Sequence, residues 1–371
     1  MNDGLINIKK IIDYKKVDDI DNALRDNFAQ ATFDCDGCFK IKDGGYILLD
    51  FGKEISGGVF IVTQSIIAND NAQYRIVFGE SVGEAMSELG ENNSVNHHSV
   101  RDMTIPAVNM SMQTIGDTGF RFVKIQALNA DITVRAVKAA SKINKARAVG
   151  NFKCNDELLN KIWETGAYTV LLNMNDYIWD GVKRDRLVWA GDMHPEVSVI
   201  SAVFGDDNSI RNSLRMLRNI TPKGKWMNDT PTYSMWWLII QNDYYMHWGN
   251  RDFLEENKDA IIQISDQLIE LKENGFKPGP TPVTFFVDWS SAGQPCEQEG
   301  VNALIGMALR ASGNMMSLSG DEEQAKKYIE YSDKIACEEI GISEINNRIA
   351  ALMYLSGKRD KEIEEIVKNT T

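Results

Sequence analysis

The stretch DITVRAVKAASKINKARAVGNFKCNDELLNKIWETGAYTVL, residues 131–171, decides the fold because the spacing of its apolar residues changes partway along it. In its first part Ile132, Val134 and Ala136 alternate with polar side chains, which is the period of a half-buried β-strand. In its last part apolar residues recur at helical spacing behind Asn155, which we expect to cap the helix. The stretch therefore predicts a change from β-structure to helix near residue 150.

Upstream of that boundary, residues 30–142 have the pattern of a β-domain. Short runs rich in β-branched and aromatic residues are separated by Gly, Asn and Asp: GGYILLDFG (44–52), GGVFIVTQSI (57–66), YRIVFGES (74–81), GFRFVKIQAL (119–128) and DITVRAVKA (131–139). Several such strands at close spacing predict an antiparallel β-sandwich. The polar stretch 80–98 predicts a long loop, and residues 1–29 form a separate N-terminal segment.

Downstream, residues 151–371 have the pattern of a helical domain. Beside the helix behind Asn155, a second clear helix carries Ile261, Ile264 and Leu268 and stops at Gly275. Further helices are predicted near 192–204, 206–219, 232–248, 294–317, 321–338, 342–355 and 359–369. The count is about nine helices, with long loops between them.

Composition limits the partners and the compartment. A formal net charge of −13 argues against nucleic acid or an anionic membrane surface as partner. No signal-peptide pattern and no membrane-length apolar run is visible, so we expect a cytoplasmic protein. The five cysteines predict reduced thiols, and the pair Cys35 and Cys38 lacks the further ligands of a zinc site. We expect no metal and no cofactor, and a homo-oligomer stays open.

The charge-rich segment 180–192 is the first candidate for chemistry. DGVKRDRLVWAGD, residues 180–192, places Asp180, Asp185 and Asp192 among Lys183, Arg184 and Arg186. Glycoside hydrolysis needs one carboxylic acid that holds its proton near neutral pH and a second carboxylate. Crowded carboxylates raise the pKa of one member, while neighbouring cations keep the others ionised. The alternative is a solvated, charge-rich loop without a catalytic role.

The tryptophans mark the second candidate feature. All eight lie between residues 163 and 289, and those in polar, loop-like surroundings are Trp179, Trp189, Trp226 and Trp289. Exposed indole faces in a pocket suit sugar rings, whereas Trp163 is better explained as core filler. Two loops carry the exposed candidates: KWMNDTPTYSMWW (225–237), which also contains Trp236, and FFVDWSSAG (285–293), which contains Asp288. We expect these loops and the segment 180–192 to converge at one rim of the helical domain.

The same motifs, taken in order, resemble a known family. DGVKRDRLVWAGDMHPE (180–196) resembles the catalytic-loop signature of the bacterial α-L-rhamnosidases of glycoside hydrolase family 78. The other resembling segments are LDFGKEISGGV (49–59), FGESVGEAMSELGE (78–91), HSVRDMT (98–104), GFRFVKI (119–125) and FVDWSS (286–291). Together they cover roughly residues 30–335.

The resemblance implies an (α/α)6 barrel behind the β-sandwich and inverting hydrolysis of terminal α-L-rhamnosides. It makes Asp185 the general acid and Asp180 and Asp192 the acidic residues that flank it. Asp288 and Trp289 match sugar-contacting positions, and Trp189 shapes the pocket wall. Arg184, Trp179, Trp226 and Trp236 complete the predicted substrate contacts, so the expected partner is a rhamnose-containing oligosaccharide or glycoside.

Two departures from the family pattern keep alternatives open. A six-hairpin barrel has twelve helices, so about nine predict an incomplete barrel. The late glutamate that serves the family as catalytic base has no counterpart, which leaves Glu297 and Glu299 as first suspects. One alternative is therefore a non-catalytic or fragmentary carbohydrate-binding protein. Another is a different helical-barrel enzyme, such as a uronide hydrolase or polysaccharide lyase, although the tryptophan-rich loops contain few basic residues outside 183–186.

Overall fold

The computed structural model describes residues 4–67, 71–97, 99–275, 285–339 and 344–369. The chain divides into two compact units. The first, which we call the β unit, comprises the described residues of Met1–Ala146 together with Tyr168–Asn175 and Trp179–Leu187. The second, which we call the helical unit, comprises those of Arg147–Ala167, Asp176–Ile178 and Val188–Thr371. The prediction of a β-rich part followed by a helical part is confirmed.

The β unit is built on one antiparallel sheet of seven strands in the described residues. Its strands are β1 (Leu5–Asn7), β2 (Lys10–Asp18), β3 (Phe39–Ile66), β4 (Gln73–Gly79), β5 (Asp102–Pro106), β6 (Ser111–Leu128) and β7 (Ile132–Ser141). The strand order is β1-β7-β3-β6-β4-β5, and β2 pairs with β3. A 3-10 helix, Ile20–Leu24, follows β2. The sheet thus includes two strands from the segment before residue 30.

Strand β3 is long and changes partners along its length. Tyr46–Asp50 pair with β2 and β6, whereas residues 57–63 pair with β7 and β6. Between Asp50 and Ile55 the register with β6 shifts, so the intervening residues form a bulge. Gly52 there has a φ of 86°, which an L side chain rarely adopts. The bulge lets a single strand serve two parts of the sheet.

A second bulge corrects the alternation predicted in β7. Ile132 and Val134 belong to the buried apolar cluster of the β unit, but Ala136 is buried outside it and Val137 takes the next place. The register shifts between the pairs Val62–Ala136 and Thr63–Val134, which leaves Arg135 as the extra residue. Because one added residue turns all later side chains to the other face, the predicted strand face is wrong beyond Val134.

The stretch 80–98, predicted to be a loop, contains a short helix, α1 (Val82–Met86). The hydroxyl of Ser81 accepts a hydrogen bond from the backbone N–H of Glu84 at 3.2 Å. The carboxylate of Glu84 reaches back to accept from the backbone N–H of Glu80 at 2.9 Å. This reciprocal capping satisfies donors at the start of the helix, which explains a helix in so polar a stretch.

The helical unit contains most of the remaining helices. The helices after residue 150 are α2 (Glu157–Asn173), α3 (Met193–Val203), α4 (Asn208–Ile220), α5 (Pro231–Trp248), α6 (Arg251–Glu273), α7 (Glu297–Ser319), α8 (Glu322–Cys337), α9 (Asn347–Leu355) and α10 (Lys361–Lys368). The predicted helix at 342–355 begins at Asn347, and residues 342–343 lie outside the described residues. The cap predicted for α2 is displaced by one residue, because Asp156, not Asn155, accepts hydrogen bonds from the N–H groups of Leu158 and Leu159.

Helix α7 is the centre of the helical unit and packs on α5, α6, α8 and α9. Its glycines permit this close packing: a Cβ at Gly300 would lie 2.5 Å from Ile349, and one at Gly313 would lie 2.6 Å from Ile329. The indole of Trp237 on α5 is fully buried and donates to the carbonyl of Leu214 at 3.1 Å. Within the described ranges, every helix is too short or too polar to cross a bilayer.

Candidate functional site

Residues 179–187, which we call the charged loop, belong to the β unit and are closed at their ends by Asp180. The backbone N–H of Asp180 donates to the carbonyl of Leu187, and the N–H of Leu187 donates to the Asp180 carboxylate, both at 3.0 Å. Burial raises the pKa of Asp180, and the negative charge of Asp185 raises it further, against the hydrogen bonds from backbone N–H groups. Asp180 therefore closes the loop, and its carboxyl group also holds its proton more tightly than usual.

The tip of the charged loop has a strained backbone. Asp185 and Arg186 have φ angles of 61° and 52°, in the left-handed region that favours glycine. Such a conformation costs about 1–3 kcal/mol for each non-glycine residue, so the surroundings must hold it. Asp185 is half-buried, whereas Arg184 before it is exposed.

The side chain of Arg186 makes three contacts that hold this tip. Its Nε donates to the carbonyl of Val182 at 2.8 Å, and its Nη1 donates to the carboxylate of Asp117 on β6 at 2.9 Å. Its guanidinium lies 4.8 Å from the centre of the Trp179 ring, within cation–π range. One face of Trp179, predicted to bind sugar, is thus covered by Arg186.

Lys183 connects the charged loop to a group of carboxylates in the β unit. Its Nζ lies 2.5 Å from the Glu84 carboxylate and 3.1 Å from that of Glu80. Glu54, in the bulge of β3, is half-buried and its Oε1 makes no hydrogen bond to the described residues. Burial raises the pKa of Glu54 to about 8, with the charges of Glu80 and Glu84 adding to the effect and Lys183 opposing it.

In the helical unit, four aromatic side chains form a continuous series that we call the aromatic row: Trp189, Tyr233, Phe286 and Trp289. Neighbouring ring centres are 5.9, 6.4 and 4.9 Å apart along this order, each pair edge-on. Trp289 at its end is 82% exposed. The row therefore brings together residues from three separate segments, which include the two loops predicted to carry sugar contacts.

Asn228 joins two of these segments. Its amide Nδ2 donates to the carbonyl of Val188, and its Oδ1 accepts from the N–H of Ala190, both at 3.1 Å. Like the tip of the charged loop, Asn228 and Asp229 form a left-handed pair, with φ angles of 51° and 56°. A Cβ on Gly191 would lie 2.5 Å from the ring of Tyr233, so only glycine fits against the row at this position.

Asp288 is held within its own loop. Its Oδ1 accepts hydrogen bonds from Ser290 and Ser291, and its Oδ2 lies 3.1 Å from Nη1 of Arg348 on α9. Burial acts to raise the pKa of Asp288, but the hydrogen bonds from Ser290, Arg348 and the backbone outweigh it and lower the pKa to about 2. Glu297 stabilises the same loop by accepting from the N–H groups of Val287 and Gly293.

The other predicted site residues lie at separate places in the helical unit. Asp192 is exposed directly before α3. Trp226 lines an open cavity of about 1110 Å³, together with Asp259, Asp266 and Glu270 of α6. Trp236 stacks on His194, with ring centres 4.8 Å apart, and His194 Nε2 lies 3.3 Å from the carboxylate of Asp243. Neither Trp226 nor Trp236 is a member of the aromatic row.

Several residues that shape these features are not predicted from the sequence: Glu54, Asp117, Tyr233, Phe286 and Arg348. Tyr233 and Phe286 lie in the two loops whose tryptophans predict sugar contacts, so the aromatic content of these loops could have indicated both residues. Arg348 lies 60 residues after Asp288 and has no local signal. All five cysteines are free thiols, and among the described residues no group of three or more His, Cys, Asp or Glu is arranged to bind a metal.

Comparison with known proteins identifies relatives for both sequence and fold. The family model of the bacterial alpha-L-rhamnosidase 6 hairpin glycosidase domain matches residues 147–338. An alpha-L-rhamnosidase of Formosa agariphila is 24% identical over 170 residues, which are 42% of this chain and 17% of that protein. The chain thus spans less than a fifth of this curated relative.

Solved structures share the fold at low sequence identity. A glycoside hydrolase family 78 rhamnosidase of Bacillus sp. GL1 has a TM-score of 0.74 and 18% identity, over 94% of this chain and 39% of that one. A rhamnosidase of Klebsiella oxytoca with rhamnose bound has a TM-score of 0.78 and 12% identity, over 98% of this chain and 78% of that one. Because the family model matches just over half of the chain, the protein belongs to the bacterial alpha-L-rhamnosidase six-hairpin glycosidase family.

Proposed function

We propose that this chain is a glycoside hydrolase that removes terminal α-L-rhamnosyl groups, with inversion, from rhamnose-containing oligosaccharides or glycosides. Its family membership and the named activity of its relatives support the reaction class. Inversion requires a general acid on one side of the glycosidic bond and a general base, acting through water, on the other.

In this proposal Asp185 is the general acid. The observation that carries the assignment is the left-handed pair Asp185–Arg186 at the tip of a loop fixed by several independent contacts. Backbone strain that the surroundings maintain is concentrated at catalytic residues, because strain fixes a reactive group in one orientation. The charge of Asp185 contributes to the raised pKa of Asp180, so the two carboxyl groups interact electrostatically.

The aromatic row supplies the sugar-binding surface in the helical unit. Trp289 offers an exposed indole face, and Trp189 supports the row at its other end. In the helical unit we assign hydroxyl contacts of the sugar to Asp192, which is exposed, and to Oδ2 of Asp288. Arg184, which is exposed on the charged loop, is assigned a substrate contact on the β unit. Trp179 acts through Arg186, and Trp226, which lines the open cavity, is assigned to more distant parts of a glycoside.

The packing supports a finer description of the fold. Within the helical unit α3 packs on α5, α5 on α7 and α7 on α9, so alternate helices are neighbours. This arrangement is typical of an α/α barrel, in which every second helix lines the inside, and the described residues supply nine of its helices. The change of partners along β3 supports a β-sandwich for the β unit.

A second candidate function is carbohydrate binding without turnover. The carboxylates of Asp288 and Glu297 are both engaged by their own loop, and the pKa of Asp288, about 2, makes it a weak base. Neither group therefore suits the activation of water. An aromatic row combined with an ineffective base would bind the sugar and leave the glycosidic bond intact.

An assay on 4-nitrophenyl and phenyl α-L-rhamnoside tests both candidates. We expect turnover by the unmodified protein, and a fall in kcat of about 10²–10⁴-fold on the phenyl substrate for Asp185→Asn. Asp176→Asn, at an exposed position outside the charged loop, is the control and keeps full activity.

Equal turnover by Asp185→Asn and the unmodified protein would remove Asp185 from the acid role. If the unmodified protein shows no turnover but L-rhamnose changes its tryptophan fluorescence, the binding function replaces the hydrolase.

A further inference from the structure

The charged loop is held from the β unit at a defined point on β6. Between the pairs Gly57–Thr118 and Val59–Ile115 the register of β3 and β6 shifts, so Gly116 and Asp117 stand in a bulge. Bulges redirect side chains away from the regular face of a sheet. Here the carboxylate of Asp117 accepts from Arg186 Nη1 at 2.9 Å and from Lys142 Nζ at 2.5 Å.

Asp117 is firmly ionised at this position. Burial acts to raise its pKa, but the hydrogen bonds and charges of Lys142 and Arg186 outweigh burial and lower it. A charged acceptor for a guanidinium makes a stronger hydrogen bond than a neutral acceptor. The bond between Asp117 and Arg186 is thus a fixed link between the sheet and the loop.

Arg186 transmits this link directly to the strained backbone. It is one of the two left-handed residues, and its Nε bonds the carbonyl of Val182, four residues earlier. Its backbone N–H also donates to the carbonyl of Arg184 at 2.7 Å, which closes the turn around Asp185. With its side chain fixed at both Nε and Nη1, Arg186 cannot relax to an ordinary backbone conformation without breaking these bonds.

We propose that Arg186, anchored by Asp117, is a positioning residue that fixes the orientation of the Asp185 carboxyl. This inference rests on the proposed role of Asp185 as general acid. It assigns a part in catalysis to Asp117, which stands on a strand of the β unit and outside the charged loop.

The leaving-group dependence of hydrolysis separates positioning from general structural support. A misplaced acid slows substrates whose leaving group needs protonation and spares those whose leaving group departs as a stable anion. We expect Arg186→Gln and Asp117→Asn to lower kcat on phenyl α-L-rhamnoside by about tenfold or more. On 2,4-dinitrophenyl α-L-rhamnoside kcat should change less than about threefold, with KM unchanged on both.

Two further variants complete the design. Arg186→Lys keeps a charge for Asp117 and should restore part of the lost kcat. Lys42→Gln breaks an exposed ion pair with Asp18 elsewhere in the β unit, so it is the matched control and should behave like the unmodified protein. An equal loss of kcat on both substrates, or a change in KM alone, would contradict positioning of the acid.

Hydrogen exchange of the peptide that covers residues 180–187 tests the same anchor without any turnover. The amides of Arg186 and Leu187, hydrogen-bonded within the loop, should exchange at least about fivefold faster in Arg186→Gln and Asp117→Asn, but not in Lys42→Gln. Unchanged exchange in the first two variants would overturn the inference. If no rhamnoside is hydrolysed by the unmodified protein, the proposed function fails, and this exchange result alone decides whether Arg186 anchors the loop.

Discussion

The charged loop and the aromatic row are held in place by different forces. In the charged loop, Lys183 and Arg186 pair with three carboxylates of the β unit, and Asp180 ties the loop ends. In the aromatic row, rings meet edge-on and Gly191 leaves no room for another carbon atom against Tyr233. The proposed sugar-binding surface is thus defined by shape, whereas the loop of the proposed acid is defined by charge. The two regions should respond differently to volume changes and to pH.

The largest effect we expect follows from added volume in the aromatic row. Gly191→Ala places a methyl group 2.5 Å from the ring of Tyr233 and should lower the free energy of unfolding by about 2–3 kcal/mol. Gly166→Ala, in α2 with nothing within 4 Å of the new carbon, is the control and should raise stability by about 0.5–1 kcal/mol. Urea unfolding of both variants measures the difference, and equal stabilities would show that the row is not tightly packed.

The next effect concerns pH and the β unit. The pKa of Glu54 is raised to about 8 in the native state. Between the ordinary carboxyl pKa and pH 8 the native state therefore keeps a proton that the unfolded state has released. The free energy of unfolding consequently falls as pH rises towards 8. Glu54→Gln removes this loss and should be more stable than the unmodified protein by about 1–2 kcal/mol at pH 9, with a smaller gain at pH 5.

Glu91→Gln, at an exposed position outside this carboxylate group, is the control and should change stability equally at both pH values. Unfolding curves at pH 5 and pH 9 that show no gain for Glu54→Gln would remove the distinction between a charge-controlled and a shape-controlled region.

A smaller effect distinguishes two tryptophans. Trp289→Ala should weaken binding of L-rhamnose about fivefold to tenfold, since an exposed ring face contributes roughly 1 kcal/mol to sugar binding. Trp179→Ala should leave the Kd unchanged and lower kcat instead, because its face supports Arg186. Titration followed by fluorescence gives the Kd values, and an unchanged Kd for Trp289→Ala would exclude that end of the row from the sugar site.

The smallest effect tests the ion pair between Asp288 and Arg348 beside the aromatic row. Since the pKa of Asp288 is lowered to about 2, its contribution to stability is present above the ordinary carboxyl pKa and is lost as pH falls towards 2. Arg348→Gln should reduce stability at pH 7 by about 0.5 kcal/mol, because the pair is partly exposed. Acid titration followed by circular dichroism should show that Arg348→Gln loses less stability on acidification than the unmodified protein. An identical loss of stability would assign the stabilisation to the serine hydrogen bonds alone.

The sequence predicts well whatever depends on neighbouring residues. The change of period around residue 150 and the spacing of apolar residues give the two parts of the fold and most helix ends. The bulge at Arg135 escapes prediction because it depends on Gln64 and Asp34, whose distance along the chain leaves no local pattern. The burial of Glu54 and the pairing of Asp288 with Arg348 escape for the same reason. For the site, the motif indicates the charged loop, but which residues fix its shape depends on strands far away in sequence.

The tied ends of the charged loop have a consequence for proteolysis. Lys183, Arg184 and Arg186 are three closely spaced positions after which trypsin cleaves, and Arg184 is exposed. A protease must draw several residues into an extended conformation. The hydrogen bond that closes the loop at Asp180 and the one from Arg186 to Asp117 oppose this change. The bonds that orient the candidate acid therefore also protect the chain at these three positions.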